Sequence, residues 1–316
     1  MIDFFDKLYA GIRIRNPYLR KLRYYAFLQR CVLGISDRLL PVFLRQTQDN
    51  PAYCLPPVKK NEGRIIVSFT SFPKRIGKVW MVVESILRQR KKPDMIILWL
   101  SRKQFPSIDT LPDSLLEQRE RGLKIELRDG EDIRSHKKFY YAMQEYPDDM
   151  IITIDDDVYY RSDTIELLYQ SHLKYPQDVC ANLTRVLKFR SDKLALYDEW
   201  PWGHETDNHL MSSQIGQGGV LYPPNVLYED VLNLELLLKL APLADDMWLF
   251  AMGRLRNTHV IYTGTRWTNL AIPFTANETL TGINDGLHYN DKQIDAIRTY
   301  YMDKLGIDPF AEFAID

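Results

Sequence analysis

The sequence predicts an α/β protein built on an open, mostly parallel sheet flanked by helices. Three features carry that expectation. Short apolar runs rich in β-branched and aromatic residues recur between residues 64 and 154. Helical patterns separate them, and this alternation is the mark of an α/β sheet. The fourth run, MIITIDDDVYY at residues 150–160, ends in three adjacent aspartates, at the kind of strand end where open α/β sheets bind ligands.

In chain order, RIIVSFTSF (64–72) reads as a buried strand. Val79, Val82, Val83, Ile86 and Leu87 then recur at helical spacing, and the basic, proline-terminated RQRKKP closes that helix. MIILWLS (95–101) is the next strand, so the unit is β-α-β, parallel with a right-handed crossover. LKIELRD (123–129) is a third strand, HKKFYYAMQEYP is helical up to Pro147, and MIITIDDD is the fourth strand. Beyond residue 160 the alternation loosens. TIELLYQSHLKYP is helical, and KFRSDKLALYDEWPWGHETDN is polar, aromatic and loop-like. QIGQGGVLYPP, two Leu-rich helical stretches (226–240 and 245–255), the strand HVIYTG and a last helix near DKQIDAIRTYYMDKL follow. Residues 1–60 form a helical appendage set off by DNPAYCLPPVKKNEG. Residues 61–265 form the main domain, and 266–316 a C-terminal loop and helix.

With 45% hydrophobic and 26% charged residues in a chain of 316, a packed core is expected rather than disorder. A formal net charge of −1 gives no global attraction for nucleic acid. Cys31, Cys54 and Cys180 are odd in number and lack metal-ligand spacing, as reduced cytosolic thiols do. MIDFFDKLYAGIRIR has charges where a signal peptide is apolar, and no apolar run approaches the ~20 residues that span a bilayer. The expected location is the cytoplasm, at most on a membrane surface. Residues 1–50 hold nine Lys or Arg against four Asp. Leu19, Leu22, Tyr25, Ala26 and Val32 fall along one side of a helix there, beside Arg20, Arg23 and Arg30. Such a helix lies on an anionic inner-membrane surface, or packs on the main domain or a dimer partner with its arginines solvated.

Alternate side chains of an extended segment share a face, so Asp155 and Asp157 are expected on one side and Asp156 on the other. Two carboxylates on one face at a strand end suit a hard cation, Mg²⁺ or Mn²⁺, which cancels their repulsion and bridges to phosphate oxygens. The plain alternative is a solvated acidic turn. A haloacid-dehalogenase-type phosphohydrolase would need Thr or Val where Tyr159 stands, and would use Asp155 as nucleophile.

SFTSFPKRI, DIRSHKKFYYAMQEYPDDMIITIDDDVYY, GQGGVLYPP and ADDMWLF, in this order, resemble segments of bacterial GT-A-fold glycosyltransferases of the family-2-like kind. Enzymes of that kind build capsule or lipopolysaccharide glycans. The resemblance spans residues 64–265 and implies a GT-A-like fold, with 61–160 as the nucleotide-binding half and 161–265 as the acceptor half. It implies a nucleotide-sugar donor, a UDP-sugar first, and a divalent metal held by Asp157, with Asp155 on the ribose or a metal-bound water. Thr70, Ser71, Pro73 and Arg75 would touch base and ribose, with Asp156 beside them. Lys137 and Lys138, next to His136, would lie near the nucleotide or on a solvated helix face. Gly218 and Gly219 lack side chains, so a ligand or another backbone can approach them; the resemblance makes them the floor of the sugar site.

Asp245 and Asp246 begin a helix, where acidic side chains cap amides. The resemblance adds Asp246 as the base and Asp245 as an acceptor partner, with transfer by inversion onto a glycan or lipid-linked glycan. His288 is a candidate third metal ligand or phosphate contact, and His259 a weaker one. Trp200 and Trp202 would stack on a sugar or pack in the core. The opposing expectation is a carbohydrate-binding scaffold of the same fold without catalysis.

Overall fold

The computed structural model describes residues 1–12, 24–57, 63–206, 211–265, 270–272 and 289–312. Helices α1 (Ile2–Gly11) and α2 (Tyr24–Gln46) precede the sheet. Four strands then alternate with helices: β1 (Ile65–Thr70), α3 (Val79–Leu87), β2 (Met95–Ser101), α4 (Asp113–Leu116), β3 (Leu123–Arg128), α5 (Lys137–Glu145) and β4 (Met150–Thr153). All four strands run parallel. The remainder contains α6 (Thr164–Lys174), β5 (Val179–Ala181), β6 (Thr184–Val186), β7 (Phe189–Arg190), β8 (Lys193–Leu194), β9 (Ser212–Gln214) and β10 (Val220–Tyr222). It ends with α7 (Leu234–Leu240), α8 (Asp245–Leu255), β11 (Val260–Tyr262) and α9 (Tyr289–Leu305).

Seven strands form one sheet in the order β11-β5-β10-β4-β1-β2-β3, in which β10 alone runs antiparallel to its neighbours. The expected α/β architecture is therefore the observed one. The run of strands reverses direction at β1: β2 and β3 lie on one side of it and β4 on the other. Such a reversal opens a crevice at the carboxyl ends of the two central strands. The loop from Ser71 leaves β1 there, and the three aspartates leave β4 there.

Alternation within each central strand covers both faces. Ile65, Val67 and Phe69 of β1 join Ile96, Leu98 and Leu100 of β2 and Ile152 of β4 in one core. Ile66, Ile97, Trp99 and Ile151 pack with Ala142 of α5 on the other face. The first core also takes in Ile2, Phe5, Val32, Leu40 and Leu44, so α1 and α2 are laid on the α/β body as a layer of it. Burying apolar surface at about 25 cal/mol per Å² makes that packing the main attachment. A buried charge network reinforces it. Glu84, with no exposed surface, takes Arg88 at 2.9 Å and Arg121, while Arg88 donates to Leu44 O and Arg121 to Tyr53 O. Val32, on the side expected either to lie on a membrane or to pack on the main domain, is buried in this core.

The second core is built on α7, α8 and α9 under β5 and β10, around Trp248, Tyr222 and Tyr301. Here the chain turns tightly at Gly216–Gly219 before β10. A methyl group at Gly218 would lie 2.4 Å from Leu183 Cβ and 2.7 Å from Leu183 N, so what approaches Gly218 is another stretch of backbone. Gly219 has φ +83°, a left-handed value costly for other residues. Gly218→Ala should therefore destabilise the protein by about 1–3 kcal/mol, as overpacking does. Gly77→Ala, at a position with open space around it, should leave the melting temperature unchanged in the same thermal unfolding experiment.

Candidate active site

Strand β4 stops at Thr153, and the chain bends at Asp156 and Asp157. The bend ends the extended strand there. Asp156 is buried and accepts from Ser71 Oγ at 2.6 Å and Arg75 Nη1 at 2.5 Å. Arg75 Nη1 also lies 3.1 Å from Asp157 Oδ2. Asp155 accepts from Lys138 Nζ at 2.7 Å. Two cations from different elements thus hold the three negative charges. The Tyr160 hydroxyl fixes the turn, accepting from Asp155 N–H at 2.8 Å and donating to Gln217 O at 3.1 Å.

The two lysines at the start of α5 part company. Lys137 pairs with Asp132. Lys138 is buried and, besides Asp155, forms an ion pair with Asp245 Oδ2 at 2.8 Å. Asp245 and Asp246 open α8, and Asp246 accepts from Gly216 N–H with both oxygens, at 3.0 and 3.1 Å. A methyl at Gly216 would lie 2.9 Å from Lys138 Nζ, 3.1 Å from Asp246 Oδ1 and 3.5 Å from Asp155 Oδ1. The strand-end carboxylates and the helix-start carboxylates, some ninety positions apart in the chain by direct count, therefore meet around one glycine.

The charges perturb one another. Burial alone would lower Lys138, but Asp155, Asp245 and Asp246 hold its pKa well above the usual lysine value. Burial would raise Asp245, but Lys138 outweighs it and brings the carboxyl below its ordinary value. Asp246 is pushed up to about 8, by burial first and by the adjacent Asp245 second. Asp157 is pushed up to about 6 by burial and by repulsion from Asp155, against the pull of Arg75. His136, buried with the Ala241 and Pro242 backbone against it, is pulled down by that burial.

Two carboxylates are enough to fit a hard divalent cation that shares its shell with phosphate oxygens. Asp157 Oδ1 is buried without a hydrogen bond, although the Gln217 side chain acts on the same carboxyl; an under-satisfied carboxylate oxygen fits a ligand of such an ion. No set of three His, Cys, Asp or Glu side chains converges as a metal site among the described residues, and His288 lies outside them. The other expected contacts divide between the site and the fold. Thr70 Oγ1 donates to Trp99 O, and Ser71 and Arg75 face Asp156, so these three shape the β1 loop from within. Pro73 is exposed at its tip. Trp200 is core, with Nε1 donating to Ala195 O, and Trp202 carries the Arg185 guanidinium 4.3 Å above its ring. His259 sits with Asp178 at the amino end of β11, away from the aspartates. Gly216, Tyr160 and Gln217 were not anticipated. The signal for Gly216 was present as three glycines in four residues, but spacing does not say which one meets a charge.

No protein-family model matches the chain, and no curated protein matches it. Among solved structures, the chain is similar to the mannosyltransferase PcManGT from Pyrobaculum calidifontis in complex with GDP-Man and Mn²⁺, at TM-score 0.46 and 10% identity, covering 89% of this chain and 77% of that one. It is also similar to CMP:2-keto-3-deoxy-manno-octonic acid synthetase complexed with CTP, at TM-score 0.40 and 15% identity, covering 73% of this chain and 100% of that one. Likenesses this distant do not decide the chemistry of the site, which rests on its own geometry.

Three carboxylates around one lysine leave an excess of negative charge. A carboxyl whose folded pKa lies above its unfolded value holds its proton better in the native state, so stability falls as pH rises from the unfolded value through about 8. Asp246→Asn removes that slope and leaves Lys138 paired with Asp155 and Asp245. Its melting temperature should exceed wild type by about 2 °C or more at about pH 8, with the gap closing toward about pH 5.

Proposed function

We infer that this protein is a metal-dependent transferase that moves a sugar from a nucleotide-sugar to a glycan hydroxyl. One observation carries the reading: a strand-end aspartate cluster and a helix-start aspartate pair converge on Gly216 and share the buried Lys138. Sugar transfer needs a donor-diphosphate site and a base for the incoming hydroxyl within reach of one anomeric carbon. The two clusters supply one each.

On the donor side, Asp157 and Asp155 would hold the cation, which when bound supplies charge stabilisation to the departing diphosphate. Arg75 pairs with one oxygen of Asp157, and the other is buried without a hydrogen bond. On the acceptor side, Asp246 takes the hydroxyl proton. The Gly216 N–H orients its carboxylate, and a pKa near 8 makes it a stronger base than an ordinary aspartate. Asp245, locked on Lys138, keeps that lysine charged and in place. Direct attack by the activated hydroxyl inverts the anomeric centre. The motif resemblance supports a UDP-sugar as first donor and a free or lipid-linked glycan of bacterial surface polysaccharide as acceptor. It also supports a cytoplasmic location, peripheral on the membrane.

Thermal shift against UDP, GDP, CMP and dTDP, each with and without Mn²⁺, tests the donor site. One nucleotide should stabilise the wild type only with the metal, and Asp157→Ala should lose that response. Absence of any metal-dependent shift would sink the reading. The pH profile tests the base separately. In turnover of the nucleotide-sugar that responds, kcat/KM should climb with pH through about 8, because this ratio follows the free enzyme's essential base. Asp246→Asn should lower kcat by about 100-fold or more and flatten that limb.

A further inference from the structure

The two N-terminal helices sort their side chains by charge. The acidic residues of α1 turn toward the body: Asp3 accepts from Ser162 N–H at 2.9 Å and from its hydroxyl at 2.5 Å, and buried Asp6 faces Arg161. Asp37, the acidic residue of α2, is partly buried and feels Lys78. No carboxylate of the described residues of either helix is fully exposed. On α1, Met1, Phe4 and Leu8 lie on one face and Phe4 is 63% exposed, with exposed Lys7 at the edge. On α2, Ile35, Leu39 and Val42 form a stripe, each at least half exposed. Arg38 is exposed beside it, and Arg30 is exposed on another flank of the same helix. The two helices pack on each other and into one core. The chain between them, residues 13–23, contains five Lys or Arg and no acidic residue by sequence.

We propose that the exposed face of α1 and α2 docks the protein on an anionic lipid surface. Exposed Phe, Ile, Leu and Val side chains in stripes on adjoining helices are an unusual burden for a soluble surface. Their basic border matches the charge of anionic headgroups. A second copy of this chain fits the face less well. It would bring arginine rows into a shared apolar contact with no outward carboxylate from the described residues of either helix to receive them. Neither helix is long and apolar enough to cross a bilayer, so the contact is one of lying on the surface. Of the face the sequence pattern suggested, Leu19, Leu22, Arg20 and Arg23 lie outside the described residues and Val32 is buried, while Ile35, Leu39 and Val42 are outside. This inference does not depend on the transferase reading.

Co-sedimentation of the full-length protein with vesicles tests it. One set is phosphatidylcholine alone, and the other has about one third phosphatidylglycerol. Wild type should pellet with the anionic set and weakly with the neutral one. The pairs Ile35→Glu with Leu39→Glu, and Arg30→Glu with Arg38→Glu, should each lower the bound-to-free ratio by about tenfold or more. All four positions are exposed, so the variants should keep the wild-type melting temperature, and nucleotide shifts are read independently on the same samples. Failure of wild type to pellet with either set overturns the proposal, as does equal pelleting of wild type and variants. A wild-type dimer by light scattering that the same substitutions dissociate, with no lipid binding, would assign the face to a second copy.

Discussion

One buried ammonium group organises this protein. Lys138 reaches Asp155 from one side and Asp245 from the other, at 2.7 and 2.8 Å, and burial leaves it no water to solvate its charge. Breaking a buried pair by removing one partner costs several kcal/mol, because the other charge is stranded. The end of β4 and the start of α8 are therefore bound to a common point on α5. That constraint fixes the separation of the two acidic clusters and keeps Asp245 ionised. Asp246 is left with the excess negative charge, and its raised pKa follows. The site's chemistry and its electrostatic strain have the same source.

The surrounding fold serves to bring these groups close without a side chain in the way. β10 enters the sheet antiparallel beside β4, with Val220 opposite Thr153, so the turn that precedes it arrives at the carboxyl end of β4. Gly216 in that turn gives up its N–H to Asp246 and leaves the room that Lys138 occupies. Gly218 has a different task, since Leu183 presses on it. Neighbouring glycines in one motif thus answer to a charge and to a packing contact. Asp156 likewise looks inward, where Ser71 and Arg75 tie the β1 loop to the β4 turn. The middle aspartate holds the loop, while Asp155 is held by Lys138 and Asp157 by the same Arg75.

Such a gathering of carboxylates is stabilised elsewhere. The central strands are buried on both faces, and the layer of α1 and α2 adds apolar contact and the Glu84 network to one of them. The helices that shield that face of the sheet also carry the apolar and basic surface that looks outward. An element read from sequence as an appendage is therefore both part of the core and a boundary with whatever lies outside.

The architecture of the first half was legible because it is written locally. Runs such as IIVSFT and MIILWLS have the length and residue types of buried strands, and Val79 to Leu87 has the period of a helix. The candidate acidic groups were legible too, since Asp155–Asp157 and Asp245–Asp246 stand out by charge at element ends. What the chain could not disclose by itself were relations between distant segments. The division of labour between Lys137 and Lys138 depends on which way two adjacent side chains leave one helix. The inward role of Asp156 depends on a bend that ends the pleat, and the choice of Gly216 over Gly218 depends on how β10 is inserted. Local sequence encodes backbone preference and burial. The pairing of a buried cation with carboxylates from two remote elements is decided only when the tertiary fold excludes water and leaves each charge no other partner.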